Sequence, residues 1–284
     1  MTGEKQTIQP AAQLYTVRNF TKTPEAIEQT LRKVKAMGFD AIQISGFGPI
    51  RPERLASLVE ELELDVCITH SAWDRMHNDL DALVAEHQLL HCDTIGLGSM
   101  PQKFHGSAEG FAAFLQDAGE VAKRIADKGL HFAYHNHAFE MERFSNGRLG
   151  IDMLVEDSDP ETFGFILDTY WLQYGGVNPA DYIRRVNGRM KVCHFKDYAI
   201  VHTDTEKQPL LARLCTKLGV FHPAAYTPAF AEVGCGNLDL EEAYRACRES
   251  GVQYIAIEQD TCPRDPFDCL RVSLENLKQI GARA

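Results

Sequence analysis

The sequence predicts an α/β fold, a (β/α)8 TIM barrel with a long insertion after the seventh strand, and three observations carry the prediction. Short apolar runs alternate with amphipathic helical patterns nearly from end to end, the mark of repeated βαβ units on a parallel sheet. Eight runs are found, each near-continuous in apolar residues, as strands buried on both faces must be. Three of the helical patterns end on a glycine just before the next run, at Gly38, Gly129 and Gly251, where a left-handed residue caps a helix.

The strand candidates fall at residues 11–17, 40–45, 65–70, 94–97, 130–135, 164–168, 191–195 and 254–258. Helices are clearest over 23–37, where Ile27, Leu31, Val34 and Met37 recur at helical spacing, and over 108–128. Residues 198–235 break the rhythm, because they carry Pro209, Pro223 and Pro228 and no strand pattern. Loops of that length are usually functional, and after the seventh strand of this fold the segment would lie over the active-site mouth. Barrels of this class run to 284 residues as one unit, so a single domain over 1–284 is expected.

Composition narrows the function classes. Hydrophobic residues at 44% and charged residues at 24% are ordinary for a globular chain. A net charge of −11 repels phosphate backbones and anionic lipid, which excludes a nucleic-acid partner and a membrane-surface role. Residues 1–10 are polar, and no stretch approaches the roughly 18 apolar residues of a membrane span, so a cytoplasmic location is expected. The eight cysteines have no CxxC spacing and read as reduced thiols. A small-molecule substrate is the expected partner, and a homo-oligomer is left open.

The C-terminal strand ends of such a barrel face one shared cavity, so polar residues distant in sequence can converge there. Here they include Gln43, His70, the run from Tyr134 through His135, Asn136 and His137 to Glu140, then Asp168, the run His194-Phe195-Lys196-Asp197, and Glu258-Gln259-Asp260. One strand-end Asp is commonly a helix cap, and one His commonly a partner of a carbonyl. Four successive strands ending in His or carboxylate would instead gather buried charge that needs compensation. A divalent cation supplies it. Mixed carboxylate and imidazole donors suit Mn²⁺ above all, then Co²⁺, Zn²⁺ or Fe²⁺, with Mg²⁺ less suited where nitrogen is a donor.

These segments, with Gln13-Leu14-Tyr15-Thr16-Val17-Arg18, Leu167-Asp168-Thr169-Tyr170-Trp171 and Val233-Gly234-Cys235-Gly236-Asn237-Leu238-Asp239, resemble the xylose isomerase-like TIM barrel superfamily. Its members include sugar phosphate isomerases and epimerases, inosose dehydratases, hydroxypyruvate isomerases, ketose 3-epimerases and apurinic-site endonucleases. The resemblance implies one divalent ion held by Asp168, His194 and Glu258. Better-known branches end the fifth strand in glutamate, where this chain has His135. Either His135 takes the metal or Glu140 folds back to do so, with Glu140 preferred and His135 and His137 then facing the substrate. Cys235 stands where a carboxylate is often found and receives no role.

The activity implied is an isomerase or epimerase reaction on a sugar or sugar-like polyol, by proton abstraction next to a carbonyl and a metal-stabilised enediolate. Glu258, His135, His137 and Lys196 are the candidates for proton transfer or oxyanion contact. Gln13, Gln43 and His70 are expected to meet substrate hydroxyls, and Tyr170 and Trp171 to floor the sugar pocket. No phosphate-binding signature is present, which favours an unphosphorylated substrate. The competing readings are a dehydratase or lyase acting on an inosose or 3-keto-glycoside, a non-catalytic sugar-binding protein, and a DNA repair endonuclease, which would need further histidines.

Overall fold

The computed structural model describes residues 7–220 and 222–284. Residues 1–6, which hold most of the polar N-terminal stretch, lie outside the described residues. Ten strands are described: β1 Gln9–Gln13, β2 Ala41–Ile44, β3 Asp65–Ser71, β4 Thr94–Leu97, β5 His131–His135, β6 Phe163–Ile166, β7 Val192–Phe195, β8 Asp197–His202, β9 Tyr226–Ala231 and β10 Tyr254–Ile257. Eight are parallel neighbours in the order β6-β5-β4-β3-β2-β1-β10-β7. The ring closes between its two ends through a parallel bridge of Asp168 to His194, with His194 N donating to Leu167 O at 2.8 Å. The eighth strand of the barrel is therefore β10, as the sequence predicts.

Apolar residues on the outer strand faces meet the helices in one large cluster that includes Phe132, Phe163, Phe165 and Phe195. A separate cluster of small and β-branched residues, among them Ala11, Ala41, Ile68, Ala133, Ile166, Val192 and Ala256, fills the lumen. The helix expected at 23–37 spans Pro24–Ala36, with Thr23 Oγ1 accepting from Ala26 N, and the one expected at 108–128 spans Ala108–Ala126. Gly38, Gly129 and Gly251 all adopt positive φ, as a left-handed cap requires.

Two expectations need correction. The first strand ends at Gln13, and residues 14–17 of the expected strand belong instead to the 3₁₀ helix Leu14–Phe20. Gln13 turns the chain by accepting a hydrogen bond from Tyr15 N on its own Oε1, and the buried Leu14 and Val17 supply the apolar signal that reads as strand. The insertion at 198–235 is structured as well. β8 and β9 form an antiparallel ribbon that carries the helix Leu210–Lys217 between its arms. Pro228, read as a strand breaker, is tolerated because a two-stranded ribbon is all edge, where a missing N–H need cost no ladder bond. Among the described residues no helix is long and apolar enough to cross a membrane.

Candidate metal centre and active site

Side chains alternate across a strand, so the residue two positions beyond a lumen residue stands one layer higher inside the barrel. This parity assembles the site. Ala11 is followed by Gln13, Ala41 by Gln43, Ile68 by His70, Ala133 by His135, Ile166 by Asp168, Val192 by His194 and Ala256 by Glu258. β4 contributes glycine instead. A Cβ on Gly98 would stand 3.0 Å from His70 Nδ1, and one on Gly96 would stand 2.2 Å from Thr69 O.

His135, Asp168, His194 and Glu258 are all buried, and each offers a ligand atom within 4.8 Å of the others. His135 Nδ1 donates to Gly98 O at 3.2 Å, which leaves Nε2 as a bare acceptor 3.6 Å from Asp168 Oδ2. Asp168 Oδ1 caps the helix Thr169–Tyr174 by accepting from Trp171 N at 2.9 Å. Its Oδ2 has no hydrogen-bond partner, and neither does His135 Nε2. His194 Nε2 donates to Gln43 Oε1 at 2.7 Å, so a neutral ring turns the Nδ1 lone pair toward Glu258 Oε2, 3.0 Å away. Two facing lone pairs and two orphaned buried acceptors are a donor set that could hold a cation.

Charge points the same way. Lys196 Nζ lies 3.5 Å from Asp168 Oδ2, 3.3 Å from Glu258 Oε2 and 3.0 Å from Asp260 Oδ2. Burial would lower the Lys196 pKa, but the three carboxylates overcome it and hold the ammonium charged. Burial alone would raise Glu258, yet the neighbouring Lys196 ammonium outweighs it and keeps that carboxyl well below its usual range. One ammonium against three carboxylates leaves two uncompensated negative charges when all are ionised, the deficit one divalent ion fills. Burial, reinforced by the neighbouring histidines, pushes His70 and His135 well below the ordinary imidazole value, the condition for a lone pair free to bind metal.

Glu140, preferred as the fourth ligand, stands outside this group. Its Oε1 accepts from Tyr134 Oη at 2.5 Å and its Oε2 from His137 N at 2.8 Å. Tyr134 is an outward-facing residue by the parity of β5, so a carboxylate bound to its hydroxyl is drawn away from the lumen, and His135, the alternative, occupies the place. Burial raises the Glu140 carboxyl to about 7.

The remaining candidates divide between the cleft and its supports. His70, His135, His137, Trp171, Lys196 and Glu258 line a cleft of about 790 Å³ at this end of the barrel. Burial lowers His137 to about 4, and its Nδ1 has no partner. Gln13 and Gln43 lie beneath the cleft, each with its Oε1 bonded and its Nε2 unpartnered. Tyr170 packs behind Trp171 against Tyr198 and Phe230 of the ribbon, with ring centroids 5.3 and 4.8 Å away. The root of the insertion thus forms part of the site wall, and Phe230 also faces Lys196 Nζ at 5.5 Å.

Sequence reasoning gave no role to Asp260, the third carboxylate on Lys196, or to Asn136, whose Oδ1 accepts from Asp168 N at 3.0 Å. Asp260 is again two residues beyond a site residue, which is the signal that could have found it. Asp197, adjacent to Lys196, serves the fold instead: its carboxylate accepts from the backbone N–H of Tyr198, Gly234, Gly236 and Leu238. A Cβ on Gly236 would stand 2.2 Å from Asp197 Oδ1, so that loop requires glycine there.

Comparison with known proteins follows this geometry. The chain is 24% identical over 169 residues to an inosose dehydratase of Clostridium botulinum, a stretch covering 58% of this chain and 53% of that protein. The match thus spans about half the length of that relative. Among solved structures, a sugar phosphate isomerase/epimerase from Parabacteroides distasonis superposes with a TM-score of 0.73 at 19% identity, covering 96% of this chain and 98% of that one. An L-ribulose 3-epimerase superposes with a TM-score of 0.68 at 15% identity, covering 97% and 95%. Residues 31–280 match the family described as xylose isomerase-like TIM barrel, and the chain belongs to that family.

Proposed function

We propose that the chain, read as one barrel domain over 1–284, is a divalent-metal-dependent isomerase or epimerase of a sugar or sugar-like polyol. The observation that carries the reading is the buried group His135, Asp168, His194 and Glu258, with its orphaned acceptors and its charge deficit. A divalent ion in that group supplies Lewis acidity, which lowers the energy of an enediolate formed next to a carbonyl. Mn²⁺ is the ion proposed, with Co²⁺, Zn²⁺ and Fe²⁺ also compatible with two nitrogen and two carboxylate donors.

The chain's own residues supply the rest. Glu258, held ionised beside Lys196, is the base for the carbon-bound proton. Lys196 presents a charged Nζ at the cleft wall to a substrate oxygen that gains negative charge. Trp171 gives an aromatic face for the C–H side of a sugar ring. A cytoplasmic location is part of the reading, and the eight unpaired cysteines support it.

A second reading, dehydratase or lyase action on an inosose or 3-keto-glycoside, shares the first proton abstraction. The observation favouring it is that His70 and His137 line the cleft with ring nitrogens, Nε2 and Nδ1, that have no partner and could hydrogen-bond a departing oxygen. The inosose dehydratase similarity supports the same alternative. Incubation with ketoses, inososes and 3-keto-glycosides in D₂O, followed by NMR, decides between them. Deuterium next to the carbonyl with the formula retained identifies the isomerase or epimerase, whereas loss of water or of an aglycone identifies the lyase. Absence of any carbon-bound exchange by metal-loaded protein across the panel rejects both.

A further inference from the structure

The insertion carries a feature that the proposed reaction does not use. Of the twelve large hydrophobic residues exposed among the described residues, eight lie between positions 200 and 226. The helix Leu210–Lys217 buries only Ala212, while Leu210, Leu211 and Leu214 are 82%, 62% and 52% exposed and Leu218, just beyond it, is 68% exposed. Leu210, Leu214 and Leu218 recur every four residues and so share one helix face. The opposite side is anchored to the ribbon's end: Gln208 Nε2 donates to Thr203 O at 2.6 Å, and Thr216 Oγ1 donates to Gln208 Oε1 at 3.2 Å. The leucine face is therefore held outward by polar contacts.

We infer that this leucine face, flanked by the exposed Leu211, is the contact between two copies of this chain. Area and charge select that occupant. Together the four leucines leave on the order of 500 Å² in water, within the range that a monomer carries as its largest patch and more than half of the about 800 Å² that each partner brings to a standard interface. The chain carries −11 overall, which opposes self-association over most of its surface. Residues 197–231 hold three acidic side chains (Asp197, Asp204, Glu206) and three basic ones (Lys207, Arg213, Lys217), a net of zero, so this segment can meet its own copy without like-charge repulsion. The same face would not hold to an anionic membrane against the charge of the whole chain. A two-fold contact also suits a short, self-complementary helix stripe, since each copy presents the same leucines to the other.

Sedimentation equilibrium of the full chain at 1–50 µM tests the inference, with far-UV circular dichroism as the check on folding. The wild type is expected at twice the chain mass. The Leu210→Glu/Leu214→Glu variant, which changes only exposed positions, is expected at the monomer mass with an unchanged spectrum, its dimer weakened at least about a hundredfold. Leu89→Glu places the same charge on an exposed leucine elsewhere and should remain dimeric. A wild type that stays monomeric throughout overturns the inference. So does a leucine variant that remains dimeric, because the contact then lies on another face.

Discussion

The two ends of the barrel are built from the same strands yet treat their polar groups in opposite ways. At the N-terminal end, Arg189 donates to Val155 O, Phe163 O and Ser158 Oγ, and Asp93 Oδ1 accepts from both Lys191 Nζ and Thr94 Oγ1. At the C-terminal end, Asp168 Oδ2, His135 Nε2, His70 Nε2, Gln13 Nε2 and Gln43 Nε2 are buried without partners. Native proteins pair nearly all such groups, so a concentration of orphans at one end marks the place kept for something that arrives later. Thr162 Oγ1 is a buried orphan near the N-terminal end, but the orphans concentrate at the C-terminal end, where this fold carries its active sites.

Substitutions at the two ends should therefore separate activity from stability. The largest effect is expected for Asp168→Asn and Glu258→Gln, each of which should lower turnover at least about a thousandfold. Compared as metal-free proteins, Asp168→Asn should not melt below the wild type, because burial and the nearby Glu258 carboxylate already disfavour the Asp168 charge. A variant that loses activity only by unfolding would erase the distinction. The opposite pattern is expected for Arg189→Met, which strands three acceptors at the other end. Urea unfolding should show a loss of about 2–4 kcal/mol, while kcat at permissive temperature stays that of the wild type.

A smaller effect concerns Glu140, which belongs to neither end's pattern because it is buried and bonded but titrates near neutrality. Its folded pKa, about 7, lies above the ordinary glutamate value, so the folded state holds the proton more tightly than the unfolded chain does. That contribution is complete below about pH 4 and is lost as pH rises through 7. Metal-free protein should lose roughly 2–3 kcal/mol of stability between pH 5 and pH 8 from this group, and Glu140→Gln should flatten that part of the profile. An unchanged slope in the variant would assign the pH dependence to other groups.

Much of this division is legible in the sequence. Strand ends rich in His, Asp and Glu locate the site, and three helix-closing glycines fix the phase of the repeat. The fourth member of the buried group is harder to read, because a motif comparison asks for a glutamate and Glu140 lies nearby. Strand parity gives the answer the motif misses: His135 follows the lumen residue Ala133 by two, whereas Glu140 is tied to the outward-facing Tyr134. The insertion was opaque for a different reason. Prolines and a short apolar span hide a two-stranded ribbon, whose edges tolerate proline where an interior strand would not. Gln13 shows the same limit at smaller scale, since its side chain ends a strand that the apolar pattern continues through.

The central claim is that His135, Asp168, His194 and Glu258 form a metal site, and metal analysis tests it most directly. Protein purified without chelators should contain one divalent ion per chain by elemental analysis. Asp168→Asn should retain little of it, and EDTA-treated wild type should regain both metal and carbon-bound proton exchange on addition of Mn²⁺. Wild-type protein that binds no more divalent metal than Asp168→Asn, or that keeps full activity after its metal is removed, would contradict the account.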